Sequence, residues 1–64
     1  MKTKELKLLR IKHDYSQSDC AKLLNMTRAT YIAREKGKKQ FTFDEVLTLL
    51  QKWNEVDKVK DLIE

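Results

Sequence analysis

Apolar and polar positions recur along this chain with a helical period, and turn residues cut the pattern into five segments. In the first, Leu6, Leu9, Arg10 and His13 stand at i, i+3, i+4 and i+7. They share one face of a helix over 4–13, with Thr3 as its N-cap. Leu8 and Ile11 fall off that face and read as scattered surface apolars or as a contact patch. Ser16 and Asp19 form a variant capping box, opening a second helix over 17–24 whose inner face is Cys20, Ala21 and Leu24. Asn25 tolerates the left-handed conformation and ends that helix; Thr27 caps the next. The third helix, 28–36, closes on Gly37 in the C′ position, and a basic loop, 37–41, follows. Thr42 and Glu45 make a capping box for a helix over 43–53, with Phe43, Val46, Leu47, Leu50 and Trp53 as its apolar face. Asn54 with Asp57 starts a fifth helix, 55–63, with Val56, Val59, Leu62 and Ile63 on one side. The pattern predicts an all-α fold in one domain over residues 1–64.

Composition narrows the class. A domain of 64 residues buries only roughly 60% of its unfolded surface, so its core is thin. Cys20 is the sole cysteine and His13 the sole histidine, which excludes an internal disulfide and a zinc site. Cys20 reads as a small core hydrophobe. Proline is absent and Gly37 is the one glycine, as suits helices joined by short turns. The N-terminal stretch is charged where a signal peptide would be apolar. No apolar run approaches the roughly 18 residues of a membrane span. These features predict a soluble, cytoplasmic protein with no membrane partner. Asp14 beside His13 has no nucleophile or metal set near it, so no enzyme is expected; His13 reads as a helix-end residue favoured by the dipole.

Charge changes the picture more. Residues 1–40 hold 11 Lys/Arg against 4 Asp/Glu, while residues 41–64 hold 3 against 6. A basic part joined to an acidic part points to a polyanion as partner of the first. Within it, Asn25, Met26 and Thr27 set two short helices three residues apart, the spacing of a helix-turn-helix. On the helix that follows, Tyr31 is expected to pack inward. Arg28, Ala29, Ile32 and Ala33 form another stripe, suited to the major groove of DNA. Arg28 is a bidentate donor for guanine, Ala29 and Ala33 allow close approach, and Ile32 fits a thymine methyl or, equally, the core. Ser16, Gln17 and Thr27 at helix N-termini, and Lys36, Lys38, Lys39 and Gln40 in the loop, are candidate phosphate contacts.

The stretch LKLLRIKHDYSQSDCAKLLNMTRATYIAREKG resembles the Cro and phage-repressor (Xre-type) helix-turn-helix family. The matching features are Leu9-Arg10, Ser16-Gln17, Ala21, Thr27 and Glu35-Lys36-Gly37, within a likeness that spans about residues 5–53. The resemblance implies a compact five-helix, lambda-repressor-like domain with the helix-turn-helix at helices 2 and 3. It implies a largely buried ion pair between Arg10 and Glu35, and a Gln17 that touches phosphate and supports the first recognition residue. It also implies that the backbone around Lys38–Phe41 meets a phosphate. Double-stranded DNA is the implied partner, with repression by occupying an operator. A homodimer on a palindromic operator is expected, joined through Val56, Val59, Leu62 and Ile63 or through the Leu8/Ile11 pair. No cofactor and no small-molecule ligand is implied. Tyr31 and the stretch EKGKKQF resemble phage regulators, which suggests a phage or mobile-element origin. Three positions depart from the family pattern. Cys20 stands where leucine is usual and Asn25 replaces a turn glycine. Arg34 occupies a site that is often apolar, so it is expected to turn outward toward DNA or to snorkel past Tyr31. The alternative is a protein-interaction module, an anti-repressor gripping another regulator through Leu8, Ile11 and Ile32.

Overall fold

A computed structural model describes residues 1–63 and contains five α-helices: α1 (Thr3–Lys12), α2 (Gln17–Leu23), α3 (Arg28–Glu35), α4 (Phe43–Lys52) and α5 (Val59–Ile63). A short 3-10 turn, Val56–Lys58, leads into α5. No strand occurs among the described residues.

Local chemistry sets most of the boundaries. Ser16 Oγ accepts the Asp19 N–H at 3.0 Å while Asp19 accepts the Ser16 N–H at 2.9 Å, a reciprocal box. Thr42 and Glu45 repeat it at α4, and Thr27 caps α3 by accepting the Thr30 N–H at 3.2 Å. Asn25 and Gly37 sit in the left-handed region at φ 56° and 82°, ending α2 and α3. Two expectations about ends fail. Thr3 lies inside α1, whose N-cap is Lys2 with no side-chain cap. The strand-like φ/ψ expected of an N-cap is also missing at Asn54. It takes φ 57° and ends α4 instead of starting the last helix. The tail is therefore a tight turn plus one short helix, not a single helix over 55–63.

The core lies where the helices meet. Leu6 of α1, Cys20 and Ala21 of α2, Tyr31 of α3, Val46, Leu49 and Leu50 of α4, Trp53 at the C-cap of α4, and Leu62 of α5 are buried together. Phe41, in the loop expected to be simply basic, joins them, its ring edge-on to Tyr31 with centroids 5.7 Å apart. Phe41 precedes the Thr42 cap and Val46 stands four residues after that cap. Such a pair clasps the entry of a helix, and both members are buried here. The face of α4 is rotated from the one expected. Phe43 is 52% exposed and Leu47 half-buried, whereas Leu49 is fully buried. The Lys2 N–H donates to the Leu62 carbonyl at 2.8 Å, stitching the start of α1 to α5.

Candidate functional site

Glu35 of α3 is the point at which α1 and α2 are tied to α3. Arg10 approaches it as a fork, Nε to Oε2 at 3.0 Å and Nη2 to Oε1 at 3.3 Å. Tyr31 donates its hydroxyl to Oε2 at 2.7 Å, and Gln17 donates Nε2 to Oε1 at 3.2 Å. The remaining Arg10 nitrogen, Nη1, donates to the Tyr15 carbonyl at 2.7 Å. Four donors from three helices thus saturate one buried carboxylate, the condition under which a buried charge is tolerated. Burial alone pushes the Glu35 carboxyl up, but the hydrogen bonds from Arg10, Tyr31 and Gln17 outweigh it and hold the group below its ordinary value. Burial, then the bond to Glu35, pushes the Tyr31 hydroxyl far up, so it stays a donor. Burial likewise raises the Cys20 thiol, which lies fully inside the core.

With Tyr31 and Glu35 turned inward, α3 keeps another side facing out. Arg28 and Ala29 are exposed, and Ile32 and Ala33 are half-buried at its margin. Ser16 and Thr27 are exposed at the starts of α2 and α3. Thr27 Oγ1 also donates to Thr30 Oγ1 at 2.9 Å, so its hydroxyl proton is engaged. Gln17 is half-buried, and its amide nitrogen faces Glu35. Lys36, Lys38, Lys39 and Gln40 are exposed in the loop after α3.

Arg34 departs from expectation. Its Nη1 donates to the Gln40 carbonyl at 2.9 Å and pairs with Glu45 Oε1, so it is held against the start of α4. Nothing in the local pattern around Arg34 names these partners, 6 and 11 residues downstream. Leu62 is corrected too. At 2% exposure it closes the core and is not on the surface as a dimer contact. Of its expected companions, Val56 and Ile63 are exposed and Val59 is half-buried against the core. His13 ends α1 but its ring does more than favour the dipole. It stacks on Trp53 with an interplanar angle of 4°, and Nε2 lies 2.7 Å from Glu55 Oε2. Sequence reading missed Glu55 altogether. Leu8 and Ile11 are 61% and 53% exposed, off the packed face of α1 as their spacing required. No helix among the described residues is long and apolar enough to cross a membrane.

The family profile described as Helix-turn-helix matches residues 6–54, from the first core leucine of α1 to the turn after α4. No curated protein and no solved structure matches the chain.

Proposed function

The chain belongs to the Cro- and Xre-type helix-turn-helix family, a family of DNA-binding transcription regulators, and on that premise we propose that it is a sequence-specific repressor of phage or mobile-element type that works by occupying its operator. In this reading α3 enters the major groove, about 12 Å wide. Arg28 reads guanine O6 and N7, Ile32 meets a thymine methyl, and Ala29 and Ala33 let the helix backbone come close. Ser16, Gln17, Thr27, Lys36, Lys38, Lys39 and Gln40 meet phosphates and set the register. Two copies sit on a palindrome with half-sites about 10 base pairs apart. Val56 and Ile63, or Leu8 and Ile11, supply the contact between them.

One observation carries this reading. On α3 the structural side chains, Tyr31 and Glu35, point into the domain, and Arg28 and Ala29 stand in solvent. The test is titration of a fluorescent duplex from the DNA flanking the chain's own gene, at about 50 and 200 mM salt, against random competitor. Specific repression requires binding that survives competitor and weakens with salt. Arg28→Ala is then expected to cost about 1–3 kcal/mol and to relax preference at one base pair. Binding that competitor abolishes equally would reduce the site to a basic surface. No binding at the lower salt would favour the anti-repressor reading, in which Leu8, Ile11 and Ile32 anchor a protein partner.

A further inference from the structure

Arg34 stands where the chain departs from its family pattern, and its guanidinium organises the loop that follows α3. One nitrogen, Nη1, bridges the Gln40 carbonyl, at 2.9 Å, and Glu45 Oε1. The same carboxylate oxygen accepts the Thr42 N–H at 2.9 Å. The end of α3, the loop and the first turn of α4 are thereby joined at one point. Other loop donors are turned inward. Gly37 N–H goes to the Arg34 carbonyl at 3.1 Å, and those of Lys38 and Lys39 go to the Ala33 carbonyl at 2.9 and 3.3 Å. With Thr42 on Glu45, the N–H groups of Gln40 and Phe41 are the loop donors that have no partner among the described residues. A trans peptide is planar, so the Gln40 carbonyl and the Phe41 N–H point in opposite directions. Holding the carbonyl on Arg34 turns the Phe41 N–H away from Arg34. The buried Phe41 ring, edge-on to Tyr31, anchors the other end of this peptide. Lys36, Lys38 and Lys39, all exposed, lie in the few residues just before it, and Lys39 lines the same surface hollow as Gln40 and Phe41.

We infer that Arg34 and Glu45 are positioning residues for DNA: their clamp aims the N–H of the Gln40–Phe41 peptide at a backbone phosphate, amid the field of three lysines. This rests on the DNA-binding reading of the loop given above. A donor held in place before binding loses less freedom on contact. A backbone contact of this kind sets register and carries no sequence preference.

The experiment titrates the full chain and Glu45→Gln with a duplex of about 20 base pairs that the wild type retains from a randomised pool, and with its scrambled counterpart. Glutamine preserves the capping box but brings no charge to hold Arg34. Coulomb attraction alone expects the loss of a negative charge to tighten binding. The clamp expects binding about three- to tenfold weaker, by a similar factor on both duplexes. In the free variant the amide order parameter of Phe41 is expected to fall toward the mobile range, below about 0.6. Glu45→Asp keeps the charge but shortens the reach, and is expected to weaken binding as well; it carries the test if Glu45→Gln fails to fold. Binding by either folded variant as tight as wild type, or tighter, overturns the inference and leaves the DNA reading standing. A wild type that retains no duplex overturns both.

Discussion

Two glutamates, Glu35 and Glu55, are both almost buried at 8% exposure, and both hold carboxyls below their ordinary range. Their surroundings differ. Glu35 faces a guanidinium fork, a tyrosine hydroxyl and an amide, all inside the domain. Glu55 is held down first by His13, then by Lys12 at 3.0 Å, with Lys58 at 3.8 Å. The Lys12 side chain is 61% exposed, and a histidine is a cation only while protonated. A planar, always-charged fork in a dry site fixes geometry, whereas flexible ammoniums at a wet edge are screened and mobile. The first arrangement locks α1, α2 and α3 into one unit. The second clasps the end of α1 to the turn before α5. Burial alone therefore does not rank two ion pairs; the stiffness and solvation of the partners do.

The largest consequence is expected at Glu35. Glu35→Ala strands the Arg10 guanidinium and the Tyr31 hydroxyl, at about 3–5 kcal/mol. Against the roughly 5–15 kcal/mol of a native domain, urea denaturation should show a large share of the stability lost and the midpoint moved to much lower urea. A change under about 0.5 kcal/mol, the value for an ordinary surface site, would put Glu35 in one class with solvated charges and erase the contrast.

Acid separates the pair next. Both folded carboxyls are held low, so both contribute stability above the unfolded value near about 4.3. That stability is lost as pH falls through the folded values. Asp19, lowered by the Ser16 N–H and hydroxyl, acts in the same direction. Melting temperature should therefore fall progressively below about pH 4. In Glu55→Gln the neutral-pH melting temperature is expected to drop less than in Glu35→Ala, and most of the acid slope should persist. A larger drop than at Glu35 would invert the ranking.

The smallest effects belong to Leu8→Ser and Ile11→Ser. Both side chains stand off the packed face, so each change should alter monomer stability by under about 0.5 kcal/mol. A loss that grows with protein concentration would show that a second copy covers them.

Much of the fold was legible because its signals are local. The boxes at Ser16/Asp19 and Thr42/Glu45, the Thr27 cap and the left-handed Asn25 and Gly37 act within one turn of the chain, and each appears where the sequence places it. The pairing of Phe41 with Val46 was equally readable and was overlooked behind the charge of its neighbours. Asn54 shows the limit of such signals. The same residue type caps either end of a helix, and here the end of α4 took it.

The sequence alone determined where α2, α3 and α4 start, where α2 and α3 stop, and that Tyr31 stands on the side of α3 away from Ala33, because spacing along a helix fixes which side chains share a side. Tertiary structure decided which of several apolar stripes on α4 met the core. Leucines and a phenylalanine cover more than one side of that helix, and only packing against α2 and α5 chose Leu49 over Phe43. It also decided the partners of Arg34, Gln17 and Glu55. Long polar side chains reach several ångströms in any direction, and their bonds span 11, 18 and 42–43 residues of sequence. No local rule encodes contacts that exist only once the helices have docked.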